Sequence, residues 1–481
     1  MTTQHELWIN GEHTKPESGK YFDVLNPLDD SIYCKAAESN AADINKAVEA
    51  AHQCFKTYSK TLAKDIEKML CKAADLMERD QADFADILID EIGSPMNKAN
   101  FEIQYAITHL RAAAGVARRV TGQTIPSDTP GRLSMSVRKP LGVVAAITPF
   151  NVPLIKAAKL VASPLATGNT VVLLSSEEAP TLSYRFAQLL HEAGFPAGSV
   201  NVVSGFGVDV GDTLNTHPMV KTVMFTGSSR VGKHIGELCG RHMKHAVLEL
   251  GGKSPLVILA DADLDLAVKT AVFGMFLYQG QACMASSRII VEEAIYDEFL
   301  AKYKAAASQL SMGDLRDMST ILGPIISQRQ RDRVRRHIEN AVENGATLVT
   351  GGNWHGPRCE PTILANITKD MDVCYEETFG PVTSVYSVKN YDEALAMAND
   401  TPYGLSSAII TNDLNTALDF AENIDAGMVH INAPTLYDEP HVPFGGTGDS
   451  GFGREGIEVD VDALTEWKWI TIQLPGHDQG H

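Results

Sequence analysis

The chain has 481 residues, 44% of them hydrophobic, and a formal net charge of −19 at neutral pH. This length exceeds what one hydrophobic core usually supports, so two or three domains are expected. The acidic balance, without a block of lysines and arginines, disfavours nucleic acid and anionic membrane surfaces as partners.

Seven cysteines are dispersed along the chain and form no CxxC pair. This pattern disfavours a zinc ribbon or a dithiol redox motif, and no metal site is expected. Dispersed thiols fit a reducing compartment. The first residues lack the basic and apolar regions of a signal peptide, and apolar runs such as 141–148 are shorter than the ~20 residues of a membrane span. We therefore expect a cytoplasmic protein.

Apolar residues recur at helical spacing through residues 41–92, which predicts two helices. The sequence Gly93-Ser94-Pro95 is expected to end the second helix. The segment 122–140 is rich in turn residues and then alternates in polarity, which predicts an extended ribbon that leaves the body of the protein.

Strand-like and helical segments alternate from residue 141 to residue 250. This alternation predicts a parallel, doubly wound α/β sheet covered on both faces, with ligands bound beyond the carboxyl ends of its strands. The predicted strands are 142–148, 170–174, 199–205, 221–227 and 246–250, and the predicted helices are 153–162, 184–194 and 229–239.

A second α/β block follows. Residues 256–268 indicate a strand, an aspartate cap and a helix, and further strands are expected in the 290s, in the 340s and at 405–411. The tail segment 465–473 alternates in polarity and predicts one more strand. It lies far from its domain in sequence, so it is expected to pair elsewhere, with a second subunit as one candidate.

The stretch FTGSSRVG (225–232) joins a predicted strand to a predicted helix through two small residues. The first N–H groups of such a helix form a phosphate site by geometry and dipole. The stretch is neither GxGxxG nor a Walker loop, so an ordinary strand-to-helix turn is an equal interpretation.

Three further residues have side chains suited to chemistry. Glu249 ends an apolar strand, where loss of hydration raises a carboxyl pKa towards that of a general base, although a buried ion pair would look the same. Cys283 is a nucleophile candidate because its neighbours are small and polar, and N–H groups at a nearby helix end are expected to lower its pKa, whereas most free cysteines are buried packing residues. Asn151 follows the first parallel strand and is either an oxyanion donor or a turn residue.

Together these motifs resemble the aldehyde dehydrogenase superfamily. The order PFNVP (149–153), FTGS (225–228), LELGGKSP (248–255) and QGQAC (279–283) matches the family, with Glu249 and Cys283 34 residues apart. EETFGPV (376–382), INAPT (431–435) and PFGGTGDSGFGREG (443–456) are similar to later family motifs. The resemblance covers nearly the whole chain.

The resemblance implies that Cys283 attacks an aldehyde carbon, that Asn151 holds the oxyanion, and that Glu249 activates the water that hydrolyses the thioester. It implies NAD as the cofactor, with NADP as an alternative, and an acid product, since family members that acylate coenzyme A generally lack the glutamate. The cofactor contacts that it implies are Thr148, Phe150, Ser176, Glu177, Thr226, Gly227, Ser228, Leu250, Glu377 and Phe379.

Two positions depart from the family pattern. Leu174 replaces a lysine that hydrogen-bonds the adenosine ribose, which puts cofactor affinity and the choice of NAD over NADP in question. Gly448 stands where lysine is common, and the sequence assigns no role to that change. Glu177 matches an acidic position at the adenosine ribose and would repel a 2′-phosphate, which favours NAD.

The chain looks most similar to the vanillin and benzaldehyde dehydrogenase branch, which implies aromatic aldehydes as substrates. Candidate residues for the substrate channel are Val152, Tyr105, Tyr278, Thr435 and Tyr437, each of which is equally well explained by packing.

The resemblance also implies a domain plan. It comprises a Rossmann-like NAD-binding domain (1–121 and 141–248), a second α/β catalytic domain (249–430) and a small β element for oligomerisation (122–140 and 462–481), with a homodimer or homotetramer as the assembly. Two other functions stay open: a structural or binding relative with an impaired cofactor site, and a cofactor-free thiol esterase.

Overall fold

The computed structural model describes residues 3–477 of the chain. Residues 478–481 of the predicted tail element lie outside the described residues. An eight-stranded sheet, a seven-stranded sheet and a three-stranded ribbon carry the fold, together with a second three-stranded sheet near the N-terminus and two strand pairs. Within residues 3–477, no helix is both long and apolar enough to cross a lipid bilayer.

The helices begin and end with the same local signals that the sequence offers, such as Asn40 and Asp263 as N-caps and Gly93 and Gly194 as left-handed C-caps. In chain order they are α1 Ala41–Tyr58, α2 Ala63–Arg79, α3 Gln81–Ile92, α4 Met96–Val116, α5 Pro153–Ala166, α6 Pro180–Ala193, α7 Gly207–Thr216, α8 Ser229–Arg241, α9 Leu264–Phe276, α10 Glu293–Ala307, α11 Gln328–Glu343, α12 Asp372–Tyr375, α13 Tyr391–Asn399, α14 Leu414–Asn423 and α15 Ile457–Leu464.

The strands are mostly short, as is usual for buried parallel strands. In chain order they are β1 Thr3–His5, β2 Leu7–Ile9, β3 Glu12–Thr14, β4 Tyr21–Leu25, β5 Ile32–Ala37, β6 Gln123–Ile125, β7 Arg132–Pro140, β8 Val143–Ile147, β9 Thr170–Leu174, β10 Val200–Val203, β11 Val220–Thr226, β12 His245–Glu249, β13 Pro255–Ile258, β14 Arg288–Glu292, β15 Thr347–Thr350, β16 Trp354–His355, β17 Arg358–Cys359, β18 Thr362–Ala365, β19 Val382–Val388, β20 Tyr403–Gly404, β21 Ser406–Ile410, β22 Met428–Ile431, β23 Thr447–Gly448, β24 Gly451–Phe452 and β25 Thr465–Gln473.

The eight-stranded sheet confirms the predicted doubly wound fold. Its order is β24-β12-β11-β8-β9-β10-β2-β3, and the five central strands β8 to β12 are parallel to one another. The strand order reverses between β8 and β11. In a doubly wound sheet this reversal opens a crevice for a ligand at the carboxyl ends of the strands.

The seven-stranded sheet has the order β15-β18-β19-β14-β13-β21-β22. Neighbouring strands are parallel except β15, which runs antiparallel to β18 at one edge. The predicted strands of this block are present, and β18, β19 and β22 are additional strands that the sequence analysis did not predict. The predicted aspartate cap is Asp263, whose carboxylate accepts from the N–H groups of Asp265 and Leu266.

The helical region before the ribbon contains more helices than the sequence predicts. Residues 41–92 form three helices rather than two, because a turn after Tyr58 and a break at Asp80 divide them. Gly93 therefore ends the third helix, in a left-handed conformation with φ 67°. Helix α4 follows at once and was not predicted.

The tail strand β25 pairs within its own chain. It runs antiparallel to β7 over the full register from Thr465↔Pro140 to Gln473↔Arg132, and β6 pairs with the other edge of β7. One edge of β25 therefore has no strand partner within residues 3–477. Trp467 and Trp469 on this strand are 48% and 70% exposed.

Two apolar cores cover the faces of the eight-stranded sheet, and two more cover the faces of the seven-stranded sheet. Helices α2, α4, α5 and α6 pack together on one face of the first sheet, while α1, α7 and α8 contribute to the other. Because both sheets are buried on both faces, only the strand ends are open to ligands. The predicted domain boundaries remain a prediction.

We expect Asp263→Ala to loosen the start of α9, the helix that leads to Cys283. Loss of an N-cap costs about 1 kcal/mol, which corresponds to roughly fivefold faster amide exchange in the first turn. Hydrogen exchange read by mass spectrometry on peptides covering residues 263–268 measures this effect. Asp297→Ala, at an exposed position inside α10, is the matched control and should leave exchange in α9 unchanged; equal exchange in both variants would contradict the cap assignment.

Candidate active site

A short loop joins the two large sheets. Strand β12 of the first sheet ends at Glu249, and strand β13 of the second begins at Pro255, so only residues 250–254 lie between them. All five of these residues are buried. Glu249 is therefore held where the two sheets meet, at the carboxyl end of β12.

Cys283 follows a tight turn that closes α9. Tyr278 and Gln279 have φ 50° and φ 45°, left-handed values that cost roughly 1–3 kcal/mol each and must be held by their surroundings. The Gln279 amide donates to the carbonyl of Pro324 at 2.7 Å and accepts from the N–H of Gly323 at 2.9 Å. The Tyr278 hydroxyl donates to the carbonyl of Ile92 at 2.9 Å.

Gly252 connects the loop to Cys283 and to Glu377. A Cβ built on Gly252 would lie 2.2 Å from the Cys283 carbonyl oxygen, so only glycine allows this approach. The Gly252 N–H donates to Glu377 Oε1 at 3.0 Å. The structure thus brings three residues from distant parts of the sequence, Glu249, Cys283 and Glu377, to one loop.

Asn151 lies beside the Cys283 turn. Its side-chain amide donates to the carbonyl of Gln281 at 2.9 Å, which leaves the second N–H of the amide for another acceptor. The backbone carbonyl of Asn151 accepts a hydrogen bond from Lys98 Nζ at 2.8 Å. Lys98 pairs with Glu102, and the Glu102 carboxylate also accepts from the first N–H groups of α5, the helix that begins just after Asn151.

The Glu249 carboxylate is buried, and neither of its oxygens has a hydrogen-bond partner within residues 3–477. Burial raises the pKa of Glu249 well above its ordinary value, and the nearby Glu455 adds to the shift. The cations of Lys156 and Lys159 oppose the shift. A raised pKa makes the ionised carboxylate a stronger base towards water.

Lys156 and Glu455 are functional-site residues that the sequence analysis missed. Lys156 Nζ bonds to Glu455 Oε2 at 2.7 Å, and both side chains are buried. A signal was present: Lys156 and Lys159 interrupt an otherwise apolar helix, and buried lysines require partners. Glu455 itself stands in the motif 443–456 but was not singled out.

The pKa of Cys283 differs from the sequence expectation that N–H groups at a helix end would lower it. Although Cys283 is partly exposed, desolvation by the surrounding protein raises its pKa to about 12, opposed by the Lys156 cation. The thiol is therefore protonated at neutral pH and needs a base before it can act as a nucleophile.

The residues predicted to bind the cofactor lie along the crevice of the first sheet. Thr148 and Phe150 follow β8, Ser176 and Glu177 follow β9, and Gly227 and Ser228 follow β11. Because these strands are parallel, their carboxyl ends meet at one edge of the sheet. Asn151, after β8, and Glu249, at the end of β12, thus share this edge with the candidates for the adenosine ribose and the pyrophosphate.

The geometry at the start of α8 fits the pyrophosphate of a nicotinamide dinucleotide. Ser228 is the N-cap of α8 and makes no side-chain capping bond within the described residues, so the first N–H groups remain available. A Cβ on Gly227 would lie 2.4 Å from the Phe225 ring, so a larger residue would have to displace that ring. Thr226, which precedes it, is buried, and its hydroxyl donates to Glu455 at 3.5 Å.

The remaining cofactor candidates come from the two sides of the joining loop. Leu250 is buried and packs against Gly232 of α8. Phe379, near Glu377, meets Phe150 edge to face with ring centres 5.8 Å apart. Burial raises the pKa of Glu377, and the N–H of Gly252 opposes the shift.

The two departures from the family pattern occupy different settings. Leu174 is the last residue of β9 and is buried, two residues before Ser176. Gly448 has φ 56°, and a Cβ there would lie 2.7 Å from the Pro402 carbonyl oxygen. A lysine at position 448 would therefore be strained in this backbone, which gives the glycine a structural reason.

The candidate channel residues divide into two groups. Thr435 and Tyr278 are buried and satisfied by backbone carbonyls, Thr435 by that of Met284 at 2.6 Å, as packing residues are. Tyr105 donates to Asp438 at 2.7 Å, Val152 is half-buried beside Asn151, and Tyr437 is exposed. No group of three or more metal-ligating side chains occurs in the described part of the chain.

Residues 13–470 match the model of the aldehyde dehydrogenase family. The chain is 38% identical to a vanillin dehydrogenase from Pseudomonas fluorescens over 470 residues, 97% of each chain. Its fold is similar to that of a salicylaldehyde dehydrogenase from Pseudomonas putida G7 complexed with salicylaldehyde, with TM-score 0.96 and 37% identity over 99% of each chain.

An NAD-dependent aldehyde dehydrogenase from Sinorhizobium meliloti has TM-score 0.95 and 35% identity, over 99% of this chain and 96% of that one. The family match, the relatives and the shared fold all cover nearly the whole chain. The chain belongs to the aldehyde dehydrogenase family.

Proposed function

We propose that the protein oxidises an aromatic aldehyde to the carboxylic acid with NAD, using Cys283 as the nucleophile, Glu249 as the base and Asn151 as an oxyanion donor. The observation that carries this proposal is the loop 250–254. It begins at Glu249, contacts Cys283 through Gly252, and is bound by Glu377 through the same glycine.

The first step is attack by the Cys283 sulfur on the aldehyde carbon. Because its raised pKa keeps the thiol protonated, a base must remove the proton, and Glu249 accepts it through water. The carbon–sulfur bond then forms as the carbonyl electrons move to oxygen. The free N–H of the Asn151 amide and the Cys283 backbone N–H stabilise the negative oxygen.

A nicotinamide dinucleotide, when bound, supplies the acceptor for the hydride of the aldehyde carbon. The product on Cys283 is a thioester. Glu249 releases the thiol proton to solvent and then removes a proton from a water molecule. The oxygen of that water attacks the thioester carbon, and the carbon–sulfur bond breaks to release the acid and the Cys283 thiolate. The buried and unpartnered state of the Glu249 carboxylate within residues 3–477 supports this role as a base.

The proposed NAD site uses Gly227 and Ser228 near the pyrophosphate, Glu377 at the nicotinamide ribose and Glu177 at the adenosine ribose. The free start of α8 supports the pyrophosphate contact. Glu177 would repel the 2′-phosphate of NADP, so NAD is the proposed cofactor. With Leu174 at the end of β9, the adenosine ribose lacks the lysine donor common in the family.

Aromatic aldehydes are the proposed substrates. The names of the relatives, a vanillin dehydrogenase and a salicylaldehyde dehydrogenase, support this class.

Neither alternative function is favoured. A thiol esterase has no use for the free helix start at Ser228 or for Glu377 on the loop 250–254, and a purely structural relative has no use for a buried Glu249 without a partner within residues 3–477.

We also propose a homodimer or homotetramer assembled through the ribbon, in the cytoplasm. One edge of β25 has no strand partner within residues 3–477, and Trp467 and Trp469 on this strand are exposed. Both features support pairing with a second copy. The seven free cysteines support a reducing compartment.

We expect Cys283→Ala to abolish the formation of reduced nicotinamide with benzaldehyde or vanillin, because the variant cannot form the carbon–sulfur bond. Absorbance of the reduced cofactor measures the rate. Cys71→Ala removes an exposed cysteine and should keep the wild-type rate. Turnover that survives in Cys283→Ala would rule out Cys283 as the nucleophile.

We expect Glu249→Gln to lower the steady-state rate by roughly 10²- to 10⁴-fold, the usual contribution of a general base. Because hydrolysis is blocked, an acyl adduct should accumulate on Cys283 and appear in the intact mass of the quenched protein. Glu237→Gln, on the exposed surface of α8, should show neither effect. A slow variant that carries no adduct would show that loss of Glu249 stops the reaction before the thioester forms, which contradicts hydrolysis as the step that limits this variant.

We expect Glu177→Gln to raise the ratio of kcat/KM with NADP to that with NAD by roughly tenfold, a change of about 1.4 kcal/mol from the loss of charge repulsion. Binding of each cofactor to Cys283→Ala, measured by calorimetry, should change in the same sense. An unchanged ratio in both measurements would show that Glu177 does not face the ribose.

A further inference from the structure

A polar cluster next to the proposed catalytic residues has no part in the proposed reaction. Lys159 Nζ donates to Asp438 Oδ2 at 2.7 Å, and the Tyr105 hydroxyl donates to the same oxygen at 2.7 Å. The other carboxylate oxygen, Asp438 Oδ1, is buried and has no hydrogen-bond partner within residues 3–477. One oxygen of Asp438 is thus held by two donors, while the other is left available.

The cluster adjoins the active site, because the charge of Lys159 acts on Glu249 and the segment that carries Asp438 contacts both sides of the site. Thr435, three residues before Asp438, bonds to the carbonyl of Met284, the residue after Cys283. Gly445, seven residues after Asp438, is so close to Glu249 that a Cβ on it would lie 2.6 Å from the carboxylate. The segment 435–445 therefore spans from the nucleophile to the base, with Asp438 in between.

Aromatic rings connect this cluster to the protein surface. Phe101 of α4 is 54% exposed, and its ring centre lies 6.4 Å from that of Tyr105. On the inner side, Lys159 Nζ lies 4.3 Å from the centre of the Phe444 ring, next to Gly445. Tyr105 and Phe444 are buried, so the row gives Asp438 an aromatic surround, which suits a flat aromatic substrate.

The charges of the cluster define the substituent that it can bind. Lys159 is paired with Asp438, and Lys156 is paired with Glu455, so neither lysine offers a free charge to an anionic substrate. The available atom is a carboxylate oxygen, which accepts hydrogen bonds and repels anions. The group that fits is a neutral donor, such as a hydroxyl.

We propose that Asp438 is a specificity residue whose Oδ1 accepts a hydrogen bond from a hydroxyl group on the ring of the aromatic aldehyde. The inference rests on the proposed function and deepens it, from aromatic aldehydes in general to those with a ring hydroxyl. Because Oδ1 is shielded from bulk water, a charge-assisted bond to it should favour the hydroxylated substrate by about 10- to 100-fold.

The test compares 2-, 3- and 4-hydroxybenzaldehyde with the methoxybenzaldehyde of the same substitution pattern, which has similar shape but no donor. For the wild type, the ratio of kcat/KM should favour the hydroxyl compound by about tenfold or more for at least one ring position. For Asp438→Asn, which keeps the shape of the side chain and weakens the acceptor, this ratio should fall below about threefold.

Two further variants make the result specific. Glu439→Gln removes the neighbouring carboxylate, which is bound to Tyr437 and partly exposed, and should keep the wild-type ratio. The double variant Asp438→Leu/Lys159→Met replaces the buried pair with apolar side chains, so that no lysine is left without a partner if Asp438→Asn folds poorly. It should lose the preference for the hydroxyl compound completely.

Calorimetry separates failure of the inference from failure of the proposed function. Binding of the same aldehyde pairs to Cys283→Ala should show the same preference without turnover, and Asp438→Asn in that background should lose it. A wild type that oxidises benzaldehyde but has no hydroxyl preference, or a preference that survives in Asp438→Asn, would overturn the inference alone. A wild type that oxidises none of these aldehydes would contradict the proposed function as well.

Discussion

The shortness of the loop between β12 and β13 is the constraint on which the rest of the site depends. Five buried residues carry the chain from one parallel sheet to the other, and the loop contacts the Cys283 carbonyl and the Glu377 carboxylate through a single glycine. Contacts of this short backbone segment therefore help to set the positions of the nucleophile, the base and the ribose ligand. Such rigidity is what positioning of reactive groups requires.

The second organising feature is the pairing of buried charges around one carboxylate that is left unpaired. Lys98 pairs with Glu102, Lys156 with Glu455 and Lys159 with Asp438. Removal of one member of such a pair leaves a buried charge and is costly, so these residues also fix the helices that carry them. Glu249 lies near the last two pairs without a bonded partner in the described residues. Its burial raises its pKa, and the charge of Glu455 adds to the shift.

Local sequence predicts the secondary structure of some segments of this chain and not of others, for physical reasons. The strands β8 to β12 were predicted because each is a short apolar run bounded by turn residues, and the aspartate cap of α9 was predicted because its side chain acts locally. Strands β18, β19 and β22 were missed because mixed segments of only four to seven residues fit a helix as well as a strand. Helix α4 was missed because it is buried on several sides and shows little amphipathic contrast.

The sequence by itself determined the α/β class, the family and the identity of Cys283, Glu249 and Asn151 as candidates, because these depend on residue types and their order along the chain. The tertiary structure alone decided which charges meet, namely Lys156 with Glu455 and Lys159 with Asp438. It alone also placed Gly252 against both Cys283 and Glu377. It also reversed the expected direction of the Cys283 pKa, because desolvation depends on everything packed around the thiol and not on its neighbours in sequence. Contacts between residues separated by 100 or more positions, such as Tyr105 with Asp438, leave no local pattern to read.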